Sequence, residues 1–167
     1  MRNILRMSRP APRQTLQAEL FGAVFVLAQV LARRGDQALE PLGLTTRQWL
    51  LLAVLAKGFP GEPPTLSEAA DVYGTSRQNV KQIAGQLARS GFVRLEADPR
   101  DRRALRLHLT PRAAVFDRPS VARRLSGVLS ELCAGLGDAE LRRLLGLVGR
   151  WLAAVSPSTA ARRGGRA

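Results

Sequence analysis

The stretch TSRQNVKQIAGQLARSGFVRLEADPRDRRALRLHLT, residues 75–110, changes its hydrophobic period once, and that change decides the fold. Before Gly91, Val80, Ile83, Ala84 and Leu87 recur at helical spacing, so they form one face that must turn inward. Gln78, Lys81, Gln82 and Arg89 then fall on other faces. After Gly91 the spacing drops to two. Val93, Leu95 and Ala97 alternate with Arg94 and Glu96, and Leu105, Leu107 and Leu109 alternate with Arg106 and His108. With Asp98-Pro99-Arg100-Asp101 as the turn, this predicts a β-hairpin with one buried face and Arg106 and His108 facing outward.

Working outward, three Thr residues stand three positions before Glu or Gln: Thr45–Gln48, Thr65–Glu68 and Thr75–Gln78. Each pairing can satisfy two orphan helix N–H groups reciprocally, so the three mark helix starts. They predict helix 45–57 ended by Gly58, a short helix 66–73 before Gly74, and helix 76–90 closed by Gly91. Further upstream, Leu16, Leu20, Val24, Leu27 and Leu31 define a helix over 14–34 that Gly35 should stop. Pro41 and Gly43 should keep the connector 36–44 non-helical. Downstream, Thr110 and Pro111 form a cap and a first-position proline. Pro119 should break or kink the helix they open. Apolar residues resume at Val121, Leu125, Val128, Leu129 and Leu132, and Gly135 and Gly137 precede a last helix, Asp138–Val155. Residues 1–13 read as a flexible basic arm and 156–167 as a flexible basic tail. No internal repeat is present.

The 167 residues carry 26 Lys and Arg against 13 Asp and Glu, a net charge of +13. That excess favours a polyanionic partner, nucleic acid ahead of a membrane surface. Only Lys57 and Lys81 are lysines, and an Arg, Ala, Gly and Leu bias of this kind also arises from nucleotide composition, so pattern must carry more weight than charge. No apolar run reads as long enough to span a membrane, and residues 1–13 lack the apolar core of a signal peptide. The single cysteine, Cys133, makes no internal disulfide and fits a reducing cytoplasm.

Two helices joined at Gly74, followed by a two-stranded ribbon, follow the plan of a winged helix-turn-helix: mainly α, with a small β-hairpin wing. The second helix would be the recognition helix, with Ser76, Arg77, Gln78, Asn79, Lys81 and Gln82 as the DNA-binding candidates. Arg can bond guanine bidentately and Gln adenine. A solvated polar helix face is the alternative, about equally well supported by this segment alone. The ribbon tip shifts the balance, because Arg100, Arg102 and Arg103, with Asp101 among them, project where guanidinium groups suit a narrow minor groove. Asp98 and Asp101 would brace that turn. Its alternative role is a charged turn that blocks edge pairing.

From about Leu39 to Thr110 the chain resembles the MarR family of bacterial and archaeal regulators. The similarity includes PLGLTTRQWL at 41–50, LARSGFVR at 87–94 and, most specifically, DPRDRRALRLHLT at 98–110. The resemblance implies a homodimer whose N- and C-terminal helices interleave, with two recognition helices in successive major grooves of a pseudo-palindromic site. It implies that Arg103, braced by Asp101, enters the minor groove. It also implies a small amphipathic or aromatic effector bound between the dimer helices and the DNA-binding lobe, with Trp49 as a candidate pocket residue. The domains expected are a dimerisation helix and connector at 14–44, the DNA-binding lobe at 45–110 and C-terminal dimerisation helices at 111–155. Pro111-Arg-Ala-Ala, where the family usually has a glycine, and Pro119 depart from the pattern, both in the dimer helix.

The remaining chemistry-bearing residues are few. Cys133 lies in a dimerising helix beside Leu132, where a small buried hydrophobe is favoured over a redox switch. His108, outward on its strand, reads as a surface residue or a phosphate contact, and it has no metal-ligand neighbours. With no nucleophile–base pair, metal set or phosphate loop, an enzyme is the weakest reading, and neither cofactor nor metal is expected. A cytoplasmic, sequence-specific regulator, repressor or activator, is the favoured function. An architectural or non-specific DNA binder using the same winged helix is the alternative, and a membrane-surface module leaves the ribbon tip unexplained.

Overall fold

The computed structural model describes residues 12–156. The chain divides into two compact units, Met1–Thr46 and Arg47–Ala167. The basic arm falls almost wholly, and the basic tail after Ser156 entirely, outside the described residues.

In the first unit, helix α1 runs over Arg13–Leu39 and passes directly into a 3-10 turn, Glu40–Leu42. Gly35 was expected to stop this helix but lies inside it. The reason is local crowding: an added Cβ at Gly35 would collide with the Thr46 side chain, whose hydroxyl donates to the Ala32 carbonyl at 2.9 Å. Asp36 Oδ1 also accepts the Thr46 N–H at 2.6 Å. Gly35 thus permits a close approach while the helix continues. The chain turns instead at Gly43, with φ 66°, a left-handed conformation that costs glycine little. The continuous helix also overturns the expectation about apolar length, since α1 and the turn after it, Arg13–Leu42, contain an 18-residue window of mean hydropathy 1.6, enough by length and composition to cross a membrane. Leu20, Phe21, Phe25, Val26 and Leu27 are all exposed on it.

The second unit holds α2 (Thr46–Gly58, from Arg47 onward), α3 (Leu66–Tyr73), α4 (Arg77–Arg89), the strands β1 (Val93–Ala97) and β2 (Leu105–Leu109), a 3-10 stretch Pro111–Asp117, α5 (Pro119–Cys133) and α6 (Asp138–Val155). The strands pair antiparallel, with Val93 opposite Leu109 and Ala97 opposite Leu105. Its core includes the inward face of α4 foreseen from the spacing, Val80, Ile83, Ala84 and Leu87, together with Leu51, Leu52 and Leu55 of α2 and Leu66, Ala69 and Ala70 of α3, all buried. Phe92, Val93 and Leu107 complete it from the hairpin.

Thr65 and Glu68 form the expected capping box, the Glu68 N–H reaching Thr65 Oγ1 at 3.2 Å and the Thr65 N–H reaching Glu68 Oε2 at 2.8 Å. The expected Thr75 cap sits one residue later. Ser76 is the N-cap of α4, its hydroxyl accepting from the Asn79 N–H at 3.2 Å. Thr75 is excluded because its own N–H closes the end of α3 on the Ala70 carbonyl at 3.1 Å. Its hydroxyl accepts from the Asn79 side chain instead.

Thr110 does cap the segment opened by Pro111, but that segment is 3-10 rather than α. The break at Pro119 is complete. Arg118 is extended at ψ 127°, and Pro119 occupies the first turn of α5, where its missing N–H costs nothing. Neither α5 nor α6 buries a residue, and Leu129, Leu145, Trp151, Leu152 and Val155 stand exposed.

Candidate nucleic-acid interface

α3 ends in Gly74, at φ 75°, whose N–H bonds the Ala70 carbonyl at 3.0 Å. This left-handed residue aims the chain straight into α4, which packs on α3 and on β1. With Val80, Ile83, Ala84 and Leu87 buried, Arg77, Gln78, Lys81 and Gln82 are left exposed on the opposite side, with Arg89 exposed one turn before β1. Ser76 and Asn79, also named as contacts from sequence, are engaged in the cap. Gln86 accepts from the Gln48 amide at 3.0 Å, which ties α4 to α2. Tyr73 makes a similar tie, donating to the Arg47 carbonyl at 3.0 Å, and its burial raises the phenol pKa.

The wing is built on Asp98. Expected in the exposed turn, its carboxylate is almost fully buried. One oxygen accepts the backbone N–H of Arg100 at 2.6 Å and of Asp101 at 3.3 Å; the other accepts Arg106 Nε at 2.5 Å. The Arg100 N–H chiefly, with help from the Arg106 side chain and the Asp101 N–H, holds this carboxyl below the ordinary carboxylate range, against the opposing effect of burial. Asp101 caps the backbone of the tip, its Oδ1 accepting the Arg103 N–H at 2.9 Å. Arg100, Arg102 and Arg103 are left exposed on a turn whose backbone is held from within.

Arg106 keeps the face that alternation gave it but not the exposure. Its side chain is only 14% exposed, because a segment outside the hairpin covers that face. Thr65 bridges to Arg106, and the Leu107 N–H bonds the Pro64 carbonyl at 2.8 Å, which makes residues 63–65 a rudimentary third strand. Arg106 Nη1 reaches the Pro63 carbonyl at 2.6 Å and Glu62 at 3.1 Å. The available signal was charge: Arg106 faces Glu96 across the register, and Asp98 lies two residues along the same face. His108 pairs with Glu96 at 3.2 Å, and Arg94 with the same carboxylate at 3.4 Å.

At the far end of the hairpin, Thr110 Oγ1 donates to the Gly91 carbonyl at 2.6 Å. The Arg112 guanidinium lies 4.9 Å from the centre of the Phe92 ring, and the Phe116 ring centre lies 6.4 Å from it. Neither residue carried a sequence signal. Trp49 and Cys133 are half-buried. Among the described residues, no group of three or more His, Cys, Asp or Glu side chains could hold a metal ion.

Two helices set by a glycine turn, with the second backed by an arginine-tipped antiparallel ribbon, make this lobe a winged helix-turn-helix. Residues 42–104 match the sequence model of the MarR family, so the lobe is similar to the winged helices of that family. The chain is 32% identical over 98 residues to the transcriptional activatory protein BadR of Rhodopseudomonas palustris. That alignment covers 59% of this chain and 56% of BadR, so the chain matches little more than half the length of this curated relative. Among solved structures, it is similar to the Mycobacterium tuberculosis transcriptional regulator MOSR in complex with DNA, at 29% identity and a TM-score of 0.63, covering 79% of this chain and 94% of that one. It shares the fold of Sco3205, a MarR family regulator of Streptomyces coelicolor in complex with DNA, at 21% identity and a TM-score of 0.71, over 91% and 95% of the two chains.

Proposed function

We propose that this protein is a transcriptional regulator that binds a pseudo-palindromic duplex as a homodimer. The observation that carries the reading is the pairing of an exposed Arg77, Gln78, Lys81 and Gln82 face with an adjacent, internally braced wing that presents Arg100, Arg102 and Arg103. In this reading α4 enters the major groove, where Arg and Gln can read guanine and adenine. The wing arginines take the neighbouring minor groove, Arg103 first among them. The DNA-bound state of MOSR and Sco3205 supports the assignment, as does the activatory role in the name of BadR.

The homodimer rests on apolar surface. α1 is apolar around most of its circumference, and the apolar side chains of α5 and α6 have no cover of their own. Patches of that extent mark an interface. A second copy of the chain, placed against 14–44 and 111–155, would cover them, and a dimer-core helix passes the same length and hydropathy test as a membrane span. A cytoplasmic dimer follows, with no enzymatic role. An effector site beside Trp49, for a small amphipathic or aromatic ligand, belongs to the same proposal, and its support is the family alone.

The test is selection of bound duplexes from a random library with the purified chain. Recovery of a two-fold symmetric site, bound far more tightly than random duplex and with steep salt dependence, supports the reading. Equal binding to random duplex would replace it with an architectural DNA binder, and a monomer in solution would remove the symmetric site.

A further inference from the structure

We infer that Arg106 is a positioning residue for DNA binding: it ties the base of the wing to the segment before α3 and thereby sets the angle at which the wing arginines stand relative to α4. This inference rests on the proposed function.

A two-stranded ribbon is marginal by itself and takes its direction from what it packs on. β1 packs on α4, and β2 is held by residues 63–65. Beyond Ala97 and Leu105 the register ends, and the tip is carried by the Asp98 N–H to Ala104 carbonyl bond at 2.9 Å and by the Asp98 carboxylate. That carboxylate is the junction. On one side it holds the Arg100 and Asp101 amides, and Asp101 in turn holds the Arg103 amide. On the other side it is gripped by Arg106, whose Nη1 is fastened to the Pro63 carbonyl and to Glu62. Two residues on from Pro63, Thr65 is locked into the capping box of α3. An unbroken run of bonds therefore leads from the start of α3 through Arg106 to the backbone of Arg103. A tilt of about 10° at the wing base would move a group three residues farther on, roughly 10 Å away, by about 2 Å. That displacement is enough to lose a hydrogen bond to a fixed acceptor.

The test combines amide hydrogen exchange on the free 167-residue chain with binding to the best duplex from the library selection. Arg106→Gln should speed exchange of the Arg100, Asp101 and Ala104 amides by about tenfold or more while the amides of Val80–Leu87 keep their protection. Its duplex affinity should fall about tenfold, and the double variant with Arg103→Ala should bind no more weakly than Arg103→Ala alone, since both changes remove the same contact. Arg106→Lys, which keeps the charge but lacks the guanidinium's second arm, should fall between Gln and wild type in both measurements. Unchanged wing exchange, or full affinity despite faster exchange, would overturn the inference. So would simple addition of the Arg106 and Arg103 losses, or faster exchange in α4 in both variants, because either marks a general structural role. A wild-type chain that selects no duplex overturns the proposed function first, and this inference with it.

Discussion

Replacing Phe92 with Ala tests how the lobe holds together where α4 hands over to the wing. Phe92 is 2% exposed, with Phe116 and the Arg112 guanidinium on its ring and Leu87, Val93 and Leu107 buried in the same core. Loss of a buried ring forfeits about 1.5–3 kcal/mol of transfer free energy. Each ~40 Å³ of cavity left open adds about 1 kcal/mol at ~24 cal/mol per Å³. The lost aromatic and cation–π contacts add up to about 1 kcal/mol. Together these place the destabilisation near 4 kcal/mol, within the ~3–5 kcal/mol usual for Phe→Ala in a core. With a urea m-value of about 2 kcal/mol/M, the midpoint should move down by about 2 M. Urea titration at one fixed protein concentration measures this without confusing stability with association. Phe92→Leu keeps most of the volume and should lose about 1.5 kcal/mol or less. If Phe92→Ala costs no more than Phe92→Leu, the ring is not packed as described and the argument fails.

Thr65→Ala removes the capping box of α3 and should lower stability by about 1 kcal/mol in the same titration; a neutral result would mean that Glu68 alone satisfies that terminus. Gly74→Ala places a side chain at φ 75° and should cost about 1–2 kcal/mol, although nothing crowds the position, so a smaller loss would show the turn to be adaptable. Asp98 has its pKa depressed on folding, so its contribution is complete above the ordinary carboxylate value of 3.8 and disappears as pH falls through the lower folded value. Asp98→Asn should therefore flatten the acid limb of a stability–pH profile, and an unaltered limb would place the critical carboxylate elsewhere. In duplex binding, Arg103→Ala should reduce the salt slope by about 1 and weaken all sites alike, whereas Gln78→Ala should relax preference at one base pair by about 1–3 kcal/mol. A uniform loss on changing Gln78 would take it out of base reading.

Local chemistry made most of the lobe legible in the chain itself. The inward face Val80, Ile83, Ala84 and Leu87, the hairpin limits, the Thr65–Glu68 cap and the break at Pro119 all follow from spacing, capping and proline geometry, which act between residues close in sequence. The errors fell where a distant residue intervened. Gly35 stays helical because Thr46 needs its missing side chain; Thr75 yields the cap to Ser76 because its amide is already spent on Ala70. Arg106 stays on the face that alternation gave it but is sealed there, because Asp98, the Pro63 carbonyl and Glu62 all engage its guanidinium. The candidate α4 contacts could be named from sequence, since exposure there is the complement of a periodic apolar stripe. Asp98 and Asp101 could be named as braces of the turn, but the grip of Arg106 on Asp98 could not, because a buried carboxylate and the guanidinium that satisfies it are paired by the fold. Periodicity determines which side of an element meets the core; only tertiary packing determines which polar groups are sealed in with it and must find one another.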